Sequence, residues 1–347
     1  MHDDGAVVPG GAVVPDGAVM PDGAVVPDGA VVPGGAVVQD DPLVDGPVVI
    51  GLDGSPHSEQ TLQWGLVEAG LRGTHVVIAR ACSHLHDAVD PDGEERSAGP
   101  GSHADVRRYL DQLQEAARQA HPDVPVQTRL LHAPEAPAIR ELAETAEMLV
   151  VGARGTGPRR RALGPVSAHL AARARCPVAV VRSTQPPDPT APVVVGVDGS
   201  SASVAAARIA AREAALRDVT VVVVHARPTT AGTDLPDELV AQQSAQAQRA
   251  YRSAQRIAAG LRRADRRLDV RLALPDDEPA RGLLRAADHA QLLVVGSRGV
   301  GTSGRMLLGP VSVAVLRDAR VPVLVVHGPH ARPSRPARRA ADAAAAH

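Results

Sequence analysis

The chain reads as α/β, with two tandem open parallel five-stranded sheets carrying helices on both faces. Three observations predict this. Strand-like and helix-like patterns alternate along most of the sequence. The strands are short, continuous apolar runs, the kind buried on both faces of a parallel sheet. The whole order also occurs twice: PVVIGLDGS (47–55) returns as PVVVGVDGS (192–200), and LVVGARGTGPRRRALGPVS (149–167) returns as LLVVGSRGVGTSGRMLLGPVS (292–312). Asp53 and Asp198 are 145 residues apart, and so are Gly164 and Gly309. That interval marks a duplicated domain, since solenoid units recur at about 20 to 50 residues. Length agrees, because 347 residues at about 150 per domain makes two.

In the first repeat, 47–182, residues 48–52 form the first strand. A helix over 55–71 follows, with Leu62, Leu66 and Ala69 at helical spacing. A second strand is expected at 74–81. Residues 83–101 are polar and rich in Gly, Pro and Asp, and read as a loop. A helix over 103–120 places Val106, Leu110, Leu113 and Ala117 on one stripe. Then come a strand at 124–131, a helix at 137–147, a strand at 148–151, a helix at 164–174 and a last strand at 178–181. Such alternation implies right-handed crossovers and a parallel sheet. The second repeat, 192–327, follows the same order and ends in a strand at 323–326. Outside the repeats, residues 1–46 form a low-complexity leader built on GAVVPD-type hexapeptides. Their recurrent Pro and Gly argue against helix or central strand, so disorder is expected. Residues 183–191 read as a short Pro-rich linker. Residues 328–347 are a basic Ala/Arg/Pro tail, expected to be solvated.

Composition excludes several classes. There is no Lys, Asn or Phe, so all 37 basic residues are Arg. This is the usage of a GC-rich coding sequence. A net charge of −2 and an aromatic fraction of 1% lack the basic face and stacking rings of a nucleic-acid binder. Cys82 and Cys176 have no metal-like spacing and read as small buried residues. No leader with a positive n-region opens the chain, and no apolar run approaches the roughly 18 residues of a membrane helix. No membrane is expected as a partner, and a cytoplasmic location is.

The chemistry lies in two turns. In an open parallel sheet, ligands bind beyond the carboxyl ends of the strands, where strand order reverses. The turns after the first and fourth strands carry Asp-Gly-Ser and Gly-x-x-Gly. If those strands are neighbours, both turns line one crevice. Asp53-Gly54 and Asp198-Gly199 then offer a carboxylate to ribose hydroxyls. Gly152 and Gly155, like Gly296 and Gly299 flanking Arg298, let backbone N–H groups approach a ligand closely. Gly164 and Gly309 open a helix whose N-terminus favours an anion, with Val166, Ser167, Val311 and Ser312 in its first turn. A Walker A loop is excluded because it needs Lys, and no dinucleotide fingerprint follows either first strand. The second repeat has the full spacing Gly-x2-Gly-x9-Gly (Gly296, Gly299, Gly309). The first has eight residues between Gly155 and Gly164, with Arg159, Arg160 and Arg161 either clamping a phosphate or simply solvated.

On these residues the chain resembles the universal stress protein family over 47–182 and 192–327. The resemblance rests on the Asp-Gly-Ser turn, the Leu-Val-Val-Gly strand, the glycine spacing, and the runs CPVAVV (176–181) and VPVLVV (321–326). Trp64 fits as well. It implies a Rossmann-like, adenine nucleotide alpha hydrolase-like fold that binds ATP, with or without magnesium. Asp53 or Asp198 would meet the adenosine part, and the glycine loops the phosphates. Backbone near Ala81 or Ala226 would meet the base. It also implies pairing of the tandem halves through their last strands, whose apolar edges would otherwise stay open; a further homodimer is left open. Pro165 and Pro310 depart from the family, standing where nucleotide binders carry Ser or Thr. Ser167 and Ser312 are candidates to replace that hydroxyl, and the second site ranks above the first.

No acid/base pair, metal cluster or partnered nucleophile is evident, so no enzyme is expected beyond very slow ATP hydrolysis. His132, His225 and His289 read as strand-end or helix residues without a ligand role. The leading reading is a nucleotide-binding stress sensor or regulator that acts on a protein partner. The alternative is an interaction protein of the same fold with vestigial sites. A hydrolase of related fold is disfavoured, because no Ser-Gly-Gly-type loop follows the first strand.

Overall fold

A computed structural model of the chain describes residues 46–55, 57–82, 103–153, 163–182, 188–226, 237–299 and 307–328. The leader, the expected 83–101 loop, the tail, most of the linker, Gly155 and Arg159 to Arg161 lie outside these residues.

The first repeat runs β1 (Val48–Gly51), α1 (Ser58–Arg72), β2 (Val76–Ala81), α2 (His103–Ala120), β3 (Val126–Leu131), α3 (Glu135–Leu142), β4 (Met148–Gly152), α4 (Pro165–Arg173) and β5 (Val178–Val181). The second runs β6 (Val193–Gly196), α5 (Ser201–Arg217), β7 (Val221–Val224), α6 (Asp237–Ala264), β8 (Val270–Ala273), α7 (Pro279–Ala286), β9 (Leu292–Gly296), α8 (Pro310–Asp318) and β10 (Val323–Val326). The expected alternation is present in both.

Several boundaries move for local reasons. α1 begins three residues late because Ser55 N–H bonds Asp53 Oδ1 at 3.0 Å, which makes a turn of the segment. β2 begins at Val76, since Gly73 closes α1 in the left-handed region at φ 63° and Thr74 N–H returns to Ala69 O at 3.1 Å. α3 starts before Pro137, which sits in the first turn where its missing N–H costs no intrahelical bond. It gives way to a single 3-10 turn at Ala143–Thr145.

Within each repeat the strands are parallel, and β1 lies between β2 and β4 just as β6 lies between β7 and β9. The two expected sheets are one. The order β3-β2-β1-β4-β5-β10-β9-β6-β7-β8 is continuous, and β5 pairs with β10 antiparallel in the register Val180↔Val323, Ala179↔Leu324, Val178↔Val325. Each expected five-stranded parallel set is present, and the two are joined edge to edge: an apolar last strand with unpaired N–H and C=O groups is satisfied by its own duplicate. Period-2 alternation divides the strand side chains between two core layers. Ala179, Val181, Leu324 and Val326 join Leu62, Leu66, Ala206 and Ala210 beneath α1 and α5. Val178, Val180, Val323 and Val325 join Leu170 and Leu316 beneath α4 and α8. These layers run unbroken across the seam between the repeats.

A charged cluster sits where α1 meets α5. Glu68 and Arg72 form an i,i+4 pair, and Glu213 and Arg217 repeat it, Nη1 to Oε2 2.6 Å. Arg72 also pairs with Glu213, and Arg217 with Glu68, so each arm crosses to the other repeat. Both steps, 68 to 213 and 72 to 217, equal the repeat interval. All four side chains are at most 7% exposed. Glu147 Oε1 takes ion pairs from Arg72 Nε at 3.3 Å and Arg212 Nη2 at 2.9 Å, which makes a balanced set of three carboxylates and three guanidiniums. Burial pushes the Glu68 carboxyl above its usual range, against the opposing pull of Arg217. Burial alone would lower Arg72, but Glu213 and Glu68 outweigh it and hold the guanidinium higher.

The linker's end is fixed as well. Gln291 Nε2 donates to Pro189 O (2.8 Å) and Ala191 O (2.7 Å), and Asp188 Oδ1 accepts from Thr190 N–H and Oγ1.

Two outcomes are expected. Glu213→Ala leaves two buried guanidiniums short of a carboxylate and should lower the unfolding free energy by about 3–5 kcal/mol, whereas replacing Glu68, Arg72, Glu213 and Arg217 together by Leu and Met should be near neutral; urea denaturation compares the two. Burial also pushes the Cys176 thiol up to about 12. Cys176 should therefore resist a thiol reagent at neutral pH until the chain unfolds, while half-exposed Cys82 reacts in the native state. Two fast thiols in native protein would contradict this.

Candidate functional site

Each repeat brings its Asp-Gly-Ser turn and the described ends of its glycine loop, from Gly152 and Gly164 or from Gly296 and Gly309, to the carboxyl ends of two neighbouring strands, β1 with β4 and β6 with β9. This is the switch point expected of a ligand crevice. Because the strands of the two repeats run in opposite directions, the two crevices open at opposite edges of the sheet.

The turn is built in the same way in both copies. Gly54 and Gly199 lie in the left-handed region at φ 76° and 87°, where a side chain is strained. Asp53 Oδ1 accepts from Ser55 N–H (3.0 Å) and Ser58 Oγ (3.2 Å), and Asp198 Oδ1 accepts from Ser200 N–H (3.0 Å). One oxygen of each aspartate thus shapes its own turn. In the second repeat the turn is also joined to the glycine loop. A Cβ on Gly299 would overlap Asp198 Oδ2, so only glycine lets the two approach. Ser200 Oγ donates to Arg298 O at 3.3 Å and accepts from Ser203 N–H at 3.2 Å, capping α5. Gly296 is pressed against the first turn of α5, where a Cβ would stand 2.9 Å from Ala202 C.

The loops return to their strands. Gly164 N–H donates to Ala153 O (3.0 Å) and Gly309 N–H to Ser297 O (2.8 Å). Gly164 and Gly309 are the N-caps of α4 and α8, with Pro165 and Pro310 at the first helical position. Proline contributes no N–H there, which leaves Val166 and Ser167, or Val311 and Ser312, as the first donors without an intrahelical acceptor. The hydroxyls of Ser167 and Ser312 turn inward, donating to Gly152 O (2.6 Å) and Gly296 O (2.7 Å) from buried positions. Each serine ties its helix to its strand. Ala81 and Ala226 lie at or just beyond the ends of β2 and β7, both buried.

The two turns have different supports. In the second repeat His225, also buried, has Nδ1 2.9 Å from Val197 O, and a Cβ on Gly199 would stand 3.1 Å from Ser253 Oγ of α6. In the first, Arg80 lies over the Tyr109 ring at 5.6 Å and its guanidinium rests against Gly54. Sequence reading missed Arg80, Tyr109 and Ser253, because these contacts depend on how the second strand and the following helix pack and leave no local pattern. The Ser200 cap was legible in principle as a serine at a helix start. Among the described residues, no three His, Cys, Asp or Glu side chains converge as a metal site, and no helix is long and apolar enough to cross a membrane.

Ser200→Ala should cost about 0.5–2 kcal/mol through loss of the α5 cap. Ser55→Ala should cost less, since the N-cap of α1 is His57, which makes no side-chain cap bond. Thermal melts of the two variants compare them; equal losses would remove the capping account.

The sequence model of the universal stress protein family matches residues 46–182 and 190–327. A universal stress protein of Mycobacterium tuberculosis is 36% identical over 287 residues, covering 80% of this chain and 96% of its own length. A second from that species is 32% identical over 287 residues, covering 80% and 95%. Among solved structures, a universal stress protein from Archaeoglobus fulgidus superposes with a TM-score of 0.53 at 18% identity, covering 82% of this chain and 97% of that one, which bears on the fold alone. Two family matches, relatives aligned over nearly their full length, and the repeated crevice agree: the chain belongs to the universal stress protein family, as a tandem of two such domains.

Proposed function

We propose that the chain is a tandem adenine-nucleotide-binding regulator of the stress response, with ATP as its ligand and a protein partner reading its nucleotide state. The observation that carries this is the meeting of Asp198 with Gly299 across β6 and β9. It sets a carboxylate for ribose hydroxyls beside a loop that ends at the N-terminus of α8, where phosphate is favoured. Val311 and Ser312 offer backbone N–H groups to the phosphates, and backbone near Ala226 offers a partner for the base. In the first repeat Asp53, Gly54, Ala81, Gly152, Gly164, Val166 and Ser167 take the same roles. We place its action in binding, with hydrolysis at most slow, and its location in the cytoplasm.

A second reading, domains with vestigial sites that act only through surfaces, is favoured by one observation. Pro165 and Pro310 remove an N–H, and the Ser167 and Ser312 hydroxyls donate to strand carbonyls.

The test is acid extraction and chromatography of the purified protein, followed by calorimetric titration with ATP. Asp198→Ala should weaken binding about ten- to hundredfold, the loss of about 1.5–3 kcal/mol for a hydrogen bond to a charged group. Unchanged affinity with a lowered melting temperature would make Asp198 only a turn former. Gly299→Ala should reduce binding more than Gly155→Ala, and absence of ATP binding in every form would establish the second reading.

A further inference from the structure

We propose that Arg80, held over the Tyr109 ring, makes the first crevice selective for an adenine nucleotide with a phosphate on its ribose, while the second crevice takes a bare ribose. This rests on the nucleotide reading above and names what separates the two sites. The repeats supply their own control. Val76 pairs with Val48 as Val221 pairs with Val193, so Arg80 and His225 hold the same place on the second strand. α2 ends at Ala120 and α6 at Ala264, the same distance before β3 and β8. Counted back from those ends, Tyr109 and Ser253 hold the same place on the following helix. Both pairs stand behind the glycine of the Asp-Gly-Ser turn.

The pairs differ in charge and in reach. In the second repeat His225 is buried with Nδ1 2.9 Å from Val197 O, and the group nearest Gly199 is the small, neutral Ser253 hydroxyl. In the first repeat Arg80 is only half-buried. Its Cζ lies 5.6 Å from the centre of the Tyr109 ring, and its Nη1 would stand 2.8 Å from a Cβ on Gly54. It has no carboxylate partner among the described residues. A guanidinium laid on an aromatic face keeps its N–H groups for an anion, and its planar fork suits phosphate. Asp53 precedes Gly54, and its Oδ1 is taken by Ser55 N–H and Ser58 Oγ. With Oδ2 on one ribose hydroxyl, a phosphate on the adjacent hydroxyl is within reach of Arg80, one residue along the turn. A cation is needed there, because a carboxylate alone repels phosphate. In the second repeat a ribose phosphate would meet the Asp198 carboxylate with His225 where the arginine stands in the first. The same exchange is known in open parallel sheets, where a carboxylate reads a free ribose hydroxyl and a nearby arginine accommodates a ribose phosphate.

The experiment is calorimetric titration of the full chain with ADP and, in parallel, with adenosine 3′,5′-bisphosphate and adenosine 2′,5′-bisphosphate. The three probes carry the same number of phosphates and differ in where these are attached. One bisphosphate should bind a single equivalent at least about tenfold more tightly than ADP, as expected of a charge-assisted contact. Arg80→Gln should bring that ratio to about one. Arg129→Gln, which changes an exposed arginine of neighbouring β3, should keep it. Equal affinities for ADP and both bisphosphates in the unaltered chain would overturn the inference. So would a preference that survives Arg80→Gln or disappears in Arg129→Gln. A loss in Arg80→Gln that is equal for ADP and bisphosphate would assign Arg80 to the 5′-phosphates and overturn it as well. Arg80-dependent bisphosphate binding in a chain that takes no ATP would overturn the ATP reading and uphold this one, whereas no binding of any nucleotide would overturn both. Melting of Arg80→Gln shows whether it folds, and the comparison of probes on the unaltered chain needs no variant.

Discussion

The described parts of the two repeats are arranged around the antiparallel pairing of β5 with β10. Each repeat by itself ends in a strand of consecutive Val and Ala or Leu, buried on both faces and open along one edge. Such an edge is a template for association with any other strand. Duplication within one chain supplies the matching edge at high effective concentration, and the register Ala179↔Leu324 closes it. The consequence is geometric. Strands in the two repeats must run in opposite directions, so the two Asp-Gly-Ser turns open at opposite edges of one sheet. Two ligands bound there would not touch, and any communication between them would pass through the seam.

The seam is specified by charge on one face. Glu68, Arg72, Glu213 and Arg217 form a closed reciprocal set at the crossing of α1 and α5. Apolar residues of equal volume would hold the helices as well, because the desolvation of buried charges offsets much of their attraction. What the charges add is a penalty for misplacement. A shift of α1 against α5 by one residue would leave buried ions unpaired, which costs far more than a lost apolar contact. Glu147 and Arg212 extend the set on one side only, where the other repeat has Gln291 tied to the linker.

The repeats share a scaffold and diverge at the supports of their turns. Asp53 and Asp198 hold the same local geometry, yet Arg80 on Tyr109 stands behind one turn and Ser253 with His225 behind the other. Duplication preserves what the backbone requires, namely the left-handed glycine, the Asx-type turn and the serine that ties helix to strand. It leaves the side chains behind them free to change.

The sequence alone determined the α/β class, the duplication, the order of strands and helices, and the Asp-Gly-Ser and glycine-loop positions. Those depend on local properties, namely apolar runs, helical spacing and glycine where no side chain fits. It brought the two turns of each repeat together only on the condition that the first and fourth strands are neighbours, and that adjacency is a tertiary fact. Tertiary structure decided the rest. That Ser167 and Ser312 donate inward depends on the distance from helix to strand, which no spacing encodes. That the last strands pair antiparallel in the register Ala179↔Leu324 and that Glu68 meets Arg217 149 residues away are pairings between segments far apart in the chain. Their partners are set by how layers stack, so a polar residue on a helix stripe reads the same whether it ends in solvent or in a buried ion pair.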